Sequence, residues 1–146
     1  MTGMEYRKGA HTVYNIEYHV VWTTKYRYEV LKGETGVRLR DLLRQTCLTM
    51  DVKILKGSVG SRHVHMLVSC PPSLAPAKLL QSLKGRSSRR MQEEFPHLRK
   101  RYWGRHIWGR GYFVATVGQV TEEMIKGYIE SQEEDTPDMN FKVEGE

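Results

Sequence analysis

Cysteine is scarce in the 146 residues: only Cys47 and Cys70 occur, with no CxxC pair and no histidine at zinc-finger spacing. That excludes a disulfide-stapled scaffold and a structural zinc ribbon, and leaves two reduced, partly buried thiols as the expectation. Long apolar runs are missing too: nothing approaches the roughly 20 residues of a membrane helix. The polar start, Met1 to His11, has no apolar stretch of the signal-peptide kind. A cytoplasmic, nucleoid-associated protein with no membrane partner is expected. Internal repeats and low-complexity tracts are absent, and acids are thin except at the end. Glu133 to Glu146 holds six acids against Lys142 alone, about −5 of an overall +6, so the preceding residues carry about +11. Such a basic body points to a polyanionic partner, nucleic acid first. The length fits one domain, here residues 1–132, followed by an acidic tail at 133–146, with little chain left for a separate DNA-reading domain.

The pattern predicts an α+β fold. His11 to Trp22 alternates, with Tyr14, Ile16, Tyr18, Val20 and Trp22 on one face and Val13, Asn15, Glu17, His19 and Val21 on the other, as in a strand. Thr23 to Lys32 reads as a basic loop. Val37 to Met50 spaces Leu39, Leu42, Leu43, Cys47, Leu48 and Met50 as a helix does. Val52 to Leu55 and Arg62 to Ser69 read as a hairpin about the turn Gly57 to Ser61. Ser73 is a candidate cap for a helix to about Glu94, with Pro76 in its first turn and Pro96 ending it. His97 to Arg110 is basic and aromatic, Gly111 to Val117 a strand, and Thr121 the cap of a last helix. An antiparallel sheet with helices mainly on one face suits this order.

His63 and His65 are two apart on a predicted strand, so both imidazoles face one side and Val64 the other. With Val64 and Leu67 packed toward the helices, the pair looks out from the opposite face. Two adjacent imidazoles make half of a metal site, although the spacing alone fits two surface histidines as well. The last helix adds a second constellation. Its apolar stripe runs Met124, Ile125, Tyr128, Ile129, and Gln132 lies one turn beyond Tyr128. A buried amide needs partners, and a carbonyl oxygen suits Mg²⁺ or Mn²⁺. Tyr128 then lies one turn from a ligand, and a metal that polarises the electrophile remedies the weak nucleophilicity of a phenol. Glu17 and His19 fall on the histidine face but are not assigned to the metal. Lys78, Lys84, Arg86, Arg89 and Arg90 give the second long helix a cationic face, and Arg99 to Arg105 adds cations around Tyr102 and Trp103. Cations among aromatics suit single-stranded nucleic acid, and we take Lys78, Lys84, Arg86, Arg89, Arg90 and Arg105 as the candidate DNA contacts.

His63-Val64-His65 resembles the HUH motif of single-strand nucleases, and Tyr128 with Gln132 on a C-terminal helix resembles the single-tyrosine HUH transposases of bacterial insertion sequences. The similarity runs from Tyr14 to about Gln132 and includes Tyr18 to Arg27, Leu79 to Gly85 and Trp108 to Phe113. It implies a ferredoxin-like sheet and a homodimer whose sites are shared between subunits. It also implies a divalent metal held by His63, His65 and Gln132, and a covalent 5′-phosphotyrosine at Tyr128. The substrate expected is single-stranded DNA with hairpin-forming ends. Two other readings stay open: a domesticated relative that processes chromosomal repeats, and a catalytically silent, RRM-like module that binds single strands through its sheet.

Overall fold

A computed structural model describes residues 6–119, 122–132 and 142–143; the side chains of Gln119, Glu122, Ile129 to Gln132 and Lys142, with the remaining residues, lie outside the described residues. A short ribbon, β1 (Arg7–Lys8) with β2 (Val13–Tyr14), leads into β3 (Glu17–Thr23). Then follow α1 (Glu34–Thr49), β4 (Lys53–Val59), β5 (His63–Ser69), α2 (Pro76–Glu94), α3 (Pro96–Arg101), β6 (Phe113–Thr116), α4 (Glu122–Gln132) and β7 (Lys142–Val143). The main sheet runs β6-β3-β5-β4-β7, antiparallel except for β4 with β7. The unit β3-α1-β4-β5-α2-β6 is the split βαββαβ of the ferredoxin-like fold, as expected.

Alternation decides what each face does. Val20 and Trp22 of β3, with Val64, Met66 and Val68 of β5, point to one side and bury against Leu39, Leu42 and Leu43 of α1 and Leu79, Leu80 and Leu83 of α2. Trp22 meets Trp108 edge to face at 5.7 Å, and the Trp108 Nε1–H donates to Ser87 Oγ at 2.9 Å. Val21 faces the other side, where it packs with Ile125, Phe113 and Tyr128, so α4 covers the reverse of the sheet.

The structure corrects several sequence expectations. The strand expected from His11 to Trp22 is split into β2 and β3 around Asn15 and Ile16. Helix α1 starts earlier, after Gly33 at φ +57°, and Thr35 Oγ1 secures its entry by accepting from Lys32 N at 3.1 Å and donating to Val30 O. Leu48, counted on the apolar stripe, is 79% exposed, since it lies off the face that carries Leu39 and Leu43. Strand β4 continues through Gly57 and Ser58 to Val59, the residues read as a turn, because a bulge between Ile54 and Lys56 resets its register. Ser73 does not cap α2: the N-cap is Ala75, and Pro76 takes the first turn. Pro96 ends α2 as expected but opens α3, so part of the basic stretch is helical. The Thr121 cap lies outside the described residues. Within the acidic segment, Lys142–Val143 adds a strand, and Val143 packs so closely on α1 that a side chain at Gly36 would collide with it.

Candidate active site

Strand β5 sets the histidines. His63 and His65 share one face with Leu67, directed away from α1 and α2, while Val64, Met66 and Val68 fill the core. Leu67 was expected to pack toward the helices with Val64; two-residue periodicity puts it with the histidines instead. Both imidazoles are buried, His63 completely. The register pairs Thr23 with His63, Val21 with His65 and His19 with Leu67, so His19 sits diagonally across from His65. Its Nδ1 lies 3.1 Å from His65 Nε2, and the rings stack at 5.4 Å, so one nitrogen of the pair carries the proton and the other accepts it. Sequence reasoning placed His19 on this face but missed the contact. The available signal was its phase in β3; the register that brings it to His65 is not a local property.

Burial, first of all, pushes the His65 imidazolium down to about 3 from 6.5, and the positive charges of His19, His63 and Lys56 push the same way. His65 is therefore neutral at physiological pH. Two neighbouring buried imidazoles, one firmly neutral, are the donor chemistry that a divalent ion takes, so these residues fit a metal. Among the described residues no three histidine, cysteine or acidic side chains gather into a metal cage of their own, so a metal on this pair would need a further donor. Gln132, the expected third ligand, is the last residue of α4, and its side chain lies outside the described residues.

Tyr128 comes from α4. Its ring lies 5.2 Å from that of Phe113, tilted by 32°, beside Val21 and Ile125. Met124, read as part of this stripe, is half exposed instead, because Ile125 and Tyr128 alone among its described neighbours turn to the sheet. Burial raises the Tyr128 phenol above its ordinary 10, so in this position it is protonated. Phe113, Val21 and His65 form one row across β6, β3 and β5. Tyr128 packs against both Phe113 and Val21, two strands and one strand away from the histidine strand, with neighbouring strands about 5 Å apart. Tyr128 and the imidazoles share a face of the sheet.

The six candidate DNA contacts divide by what their heads already bind. Lys84 Nζ donates to Gly109 O at 2.9 Å and Gly111 O at 2.8 Å, tying the 109–111 loop to α2, and burial lowers its pKa. Arg86 reaches α1 through Gln45 Oε1 at 3.1 Å, and Arg90 pairs with Glu94 at 3.4 Å. Lys78, Arg89 and Arg105 are exposed and have no ion pair among the described residues. Arg89 and Arg105 line a cleft of about 740 Å³ between α2 and the loop after α3, together with Lys25, Gly85, Arg99 and His106.

A family described as IS200-like transposases matches residues 12–132. The chain is 39% identical over 129 residues to the ISDra2 transposase TnpA of Deinococcus radiodurans, covering 88% of this chain and 92% of that one. It is 38% identical over 126 residues to the transposase for insertion sequence element IS200 of Salmonella typhimurium, covering 86% and 82%. Its fold superposes on a crystal structure described as a transposase from Deinococcus radiodurans R1 with a TM-score of 0.79 at 37% identity, covering 88% of this chain and 99% of that one. A REP-associated tyrosine transposase bound to a REP hairpin shares the fold at a TM-score of 0.54 and 14% identity, covering 88% and 72%. Among the described residues no helix is long and apolar enough to cross a membrane.

Proposed function

The chain belongs to the IS200-like transposase family, and from that premise we propose that it cuts and rejoins single-stranded DNA at insertion-sequence ends through a covalent bond to Tyr128. The observation that carries this reading is the gathering of Tyr128 and three histidines on one covered sheet face, where an ordinary core would be apolar. His63, His65 and Gln132 would hold Mg²⁺ or Mn²⁺, and the bound ion would polarise the scissile phosphate and offset the charge that builds on it. His19 would orient the His65 ring through their shared proton, as partners of metal-binding histidines do.

In the cutting step Tyr128 Oη forms a bond to phosphorus while the bond to the 3′ oxygen breaks. The phenol loses its proton, the departing oxygen gains one, and the products are a 3′-hydroxyl and a 5′-phosphotyrosine. The 3′-hydroxyl of a second strand then attacks that phosphorus and releases the tyrosine. Each ester bond broken is replaced by another, so no ATP is needed.

The working unit in this reading is a homodimer with shared sites. Against its own sheet Tyr128 is a protonated phenol packed on Phe113 and Val21, in this reading a resting place rather than an attacking one. Gly118 precedes α4 and Gly127 lies within it, with open space where a Cβ would stand, and both lower the cost of moving the helix. Swung outward, α4 of one subunit would serve the histidines of its partner. The DNA ends are inferred to be hairpins held through the cationic face of α2. Identities of 39% and 38% to insertion-sequence transposases favour element movement over repeat processing. Cover by α4 counts against an RRM-like module, which would need its sheet face open.

Two assays test the proposal. Tyr128→Phe should retain the fold and DNA binding and abolish the covalent protein–DNA adduct; undiminished adduct would refute the nucleophile. Tyr128→Phe and His63→Ala proteins, each inactive, should regain adduct when mixed, attached to the His63→Ala chain. A dead mixture of freely exchanging dimers would remove the shared site.

A further inference from the structure

Helices α1 and α3 end in the same way, with different residues at the strained position. After α3 the Trp103 N–H donates to Lys100 O at 3.3 Å and the Gly104 N–H to Arg99 O at 2.8 Å, the paired bonds of a Schellman motif. After α1 the Asp51 N–H donates to Leu48 O and the Val52 N–H to Cys47 O. The residue that turns left-handed is Asp51 at φ +57° in one and Trp103 at φ +59° in the other, a place glycine usually takes. Asp51 has an internal reason, since its carboxylate pairs with Arg7 at 2.8 Å. Trp103 has none: its ring is 87% exposed and contacts no other ring among the described residues. A bulky side chain in a strained conformation, held out in water, gains nothing for the folded chain.

Its surroundings state the partner. Residues 95–121 contain five Arg or Lys and no Asp or Glu. Gly104, next to Trp103, lines the cleft of about 740 Å³ with Arg89, Arg99 and Arg105, all exposed, and with one acid, Glu93, which pairs with Arg90 at 3.7 Å. The cleft also reaches Gly85 in the middle of α2, where a Cβ would meet nothing within 4 Å. Helix interiors disfavour glycine, so an unfilled one leaves room for something outside the chain. Cations lining a cleft beside an exposed indole match phosphates beside an unpaired base, not an apolar protein surface.

We propose that Trp103 is a stacking platform for an unpaired DNA base whose flanking phosphates lie in the α2 cleft against Arg89, Arg99 and Arg105. The proposal takes its substrate class from the single-strand reading above but needs no chemistry at Tyr128. It adds a binding site on α2 and the loop after α3, away from the tyrosine and histidine face.

The other tryptophans make the test direct. Trp22 and Trp108 are 0% and 4% exposed, so accessible indole emission belongs to Trp103. The full chain is titrated with a single-stranded oligothymidylate of about 16 nucleotides, within the footprint of one single-strand-binding domain. The expected result is quenching of the accessible emission and protection from acrylamide. Trp103→Gly, with the residue the motif prefers, should hold or raise the melting temperature while weakening binding roughly 5- to 100-fold, the loss of one base stack. Trp103→Phe should recover part of it. Tyr128→Phe should quench like the wild type even if adduct formation proves to lie elsewhere, which keeps the two proposals separable. Wild-type affinity in Trp103→Gly, or emission unchanged at saturating oligonucleotide, would overturn the platform. So would quenching by anionic phospholipid vesicles and not by the oligonucleotide.

Discussion

The two faces of the main sheet are built from the same strands and do opposite things. Toward α1 and α2, residues such as Val20, Trp22, Val64, Met66 and Val68 are apolar and sealed in one continuous core. Toward α4, Glu17, His19, Thr23, His63, His65 and Ser69 fall on alternate positions of the same two strands, five of them buried and His19 half-buried, and among the described residues the apolar part is small: Leu67, and Val21 with Ile125, Phe113 and Tyr128. Burial of polar groups costs stability unless they are satisfied, so the second face should contribute less to folding than the first, as expected of a face that the proposed function gives to chemistry. The first face carries the stability that this arrangement needs.

The sharpest way to break the comparison is to delete a large side chain from the apolar face. Trp22→Ala should cost about 3–5 kcal/mol in denaturant unfolding, the range for aromatic truncation in cores. Tyr128→Phe should shift the same curve by less than about 1 kcal/mol, because it removes one hydroxyl and keeps the packing against Phe113. Equal losses would mean that the two faces do not differ in kind.

Acid separates the faces next. His65 titrates near 3 in the folded chain against about 6.5 unfolded. The unfolded state therefore binds the proton first, and the stability that neutral His65 contributes is complete above about pH 6.5 and is lost as pH falls toward 3. In metal-free buffer the unfolding free energy should decline by a few kcal/mol across that window, at up to about 1.4 kcal/mol per pH unit. His65→Asn should flatten the decline, while core variants such as Met66→Leu should keep its slope. An unchanged acid limb in His65→Asn would assign the effect to other groups.

The smallest effects are on the outer surface of α2. Lys78→Gln and Arg89→Gln leave both sheet faces alone and should not move the melting temperature. Each should weaken single-strand binding evenly across sequences and lower the salt slope by about 0.7, one phosphate contact on a single strand. Lys84→Gln should behave differently, because its ammonium holds the Gly109 and Gly111 carbonyls; its main readout should be lower stability.

Much of the candidate site was legible because it depends on local periodicity. A strand repeat of two puts His63 and His65 on one face, and a helical repeat puts Tyr128 and Ile125 on one stripe. The resemblance of His63-Val64-His65 and Tyr128 to known transposases needs only those residues in order. The sheet arrangement followed from the sequence of strands and helices. Leu48, Leu67 and Met124 went astray because an apolar residue in phase with a stripe says nothing of whether another element covers it.

By itself, then, the sequence determined the family, the βαββαβ order, and which side chains can share a face, since these are properties of nearest neighbours along the chain. Tertiary structure alone decided the rest. Pairing of β3 with β5 brings His19 to 3.1 Å from His65, and packing of α2 against the 109–111 loop takes Lys84 out of the cationic surface. Backbone torsion at the end of α3 holds Trp103 outward at φ +59°. Register and burial are set by contacts between residues far apart in the chain, such as His19 with His65 and Lys84 with Gly109, and no short window along it contains both partners.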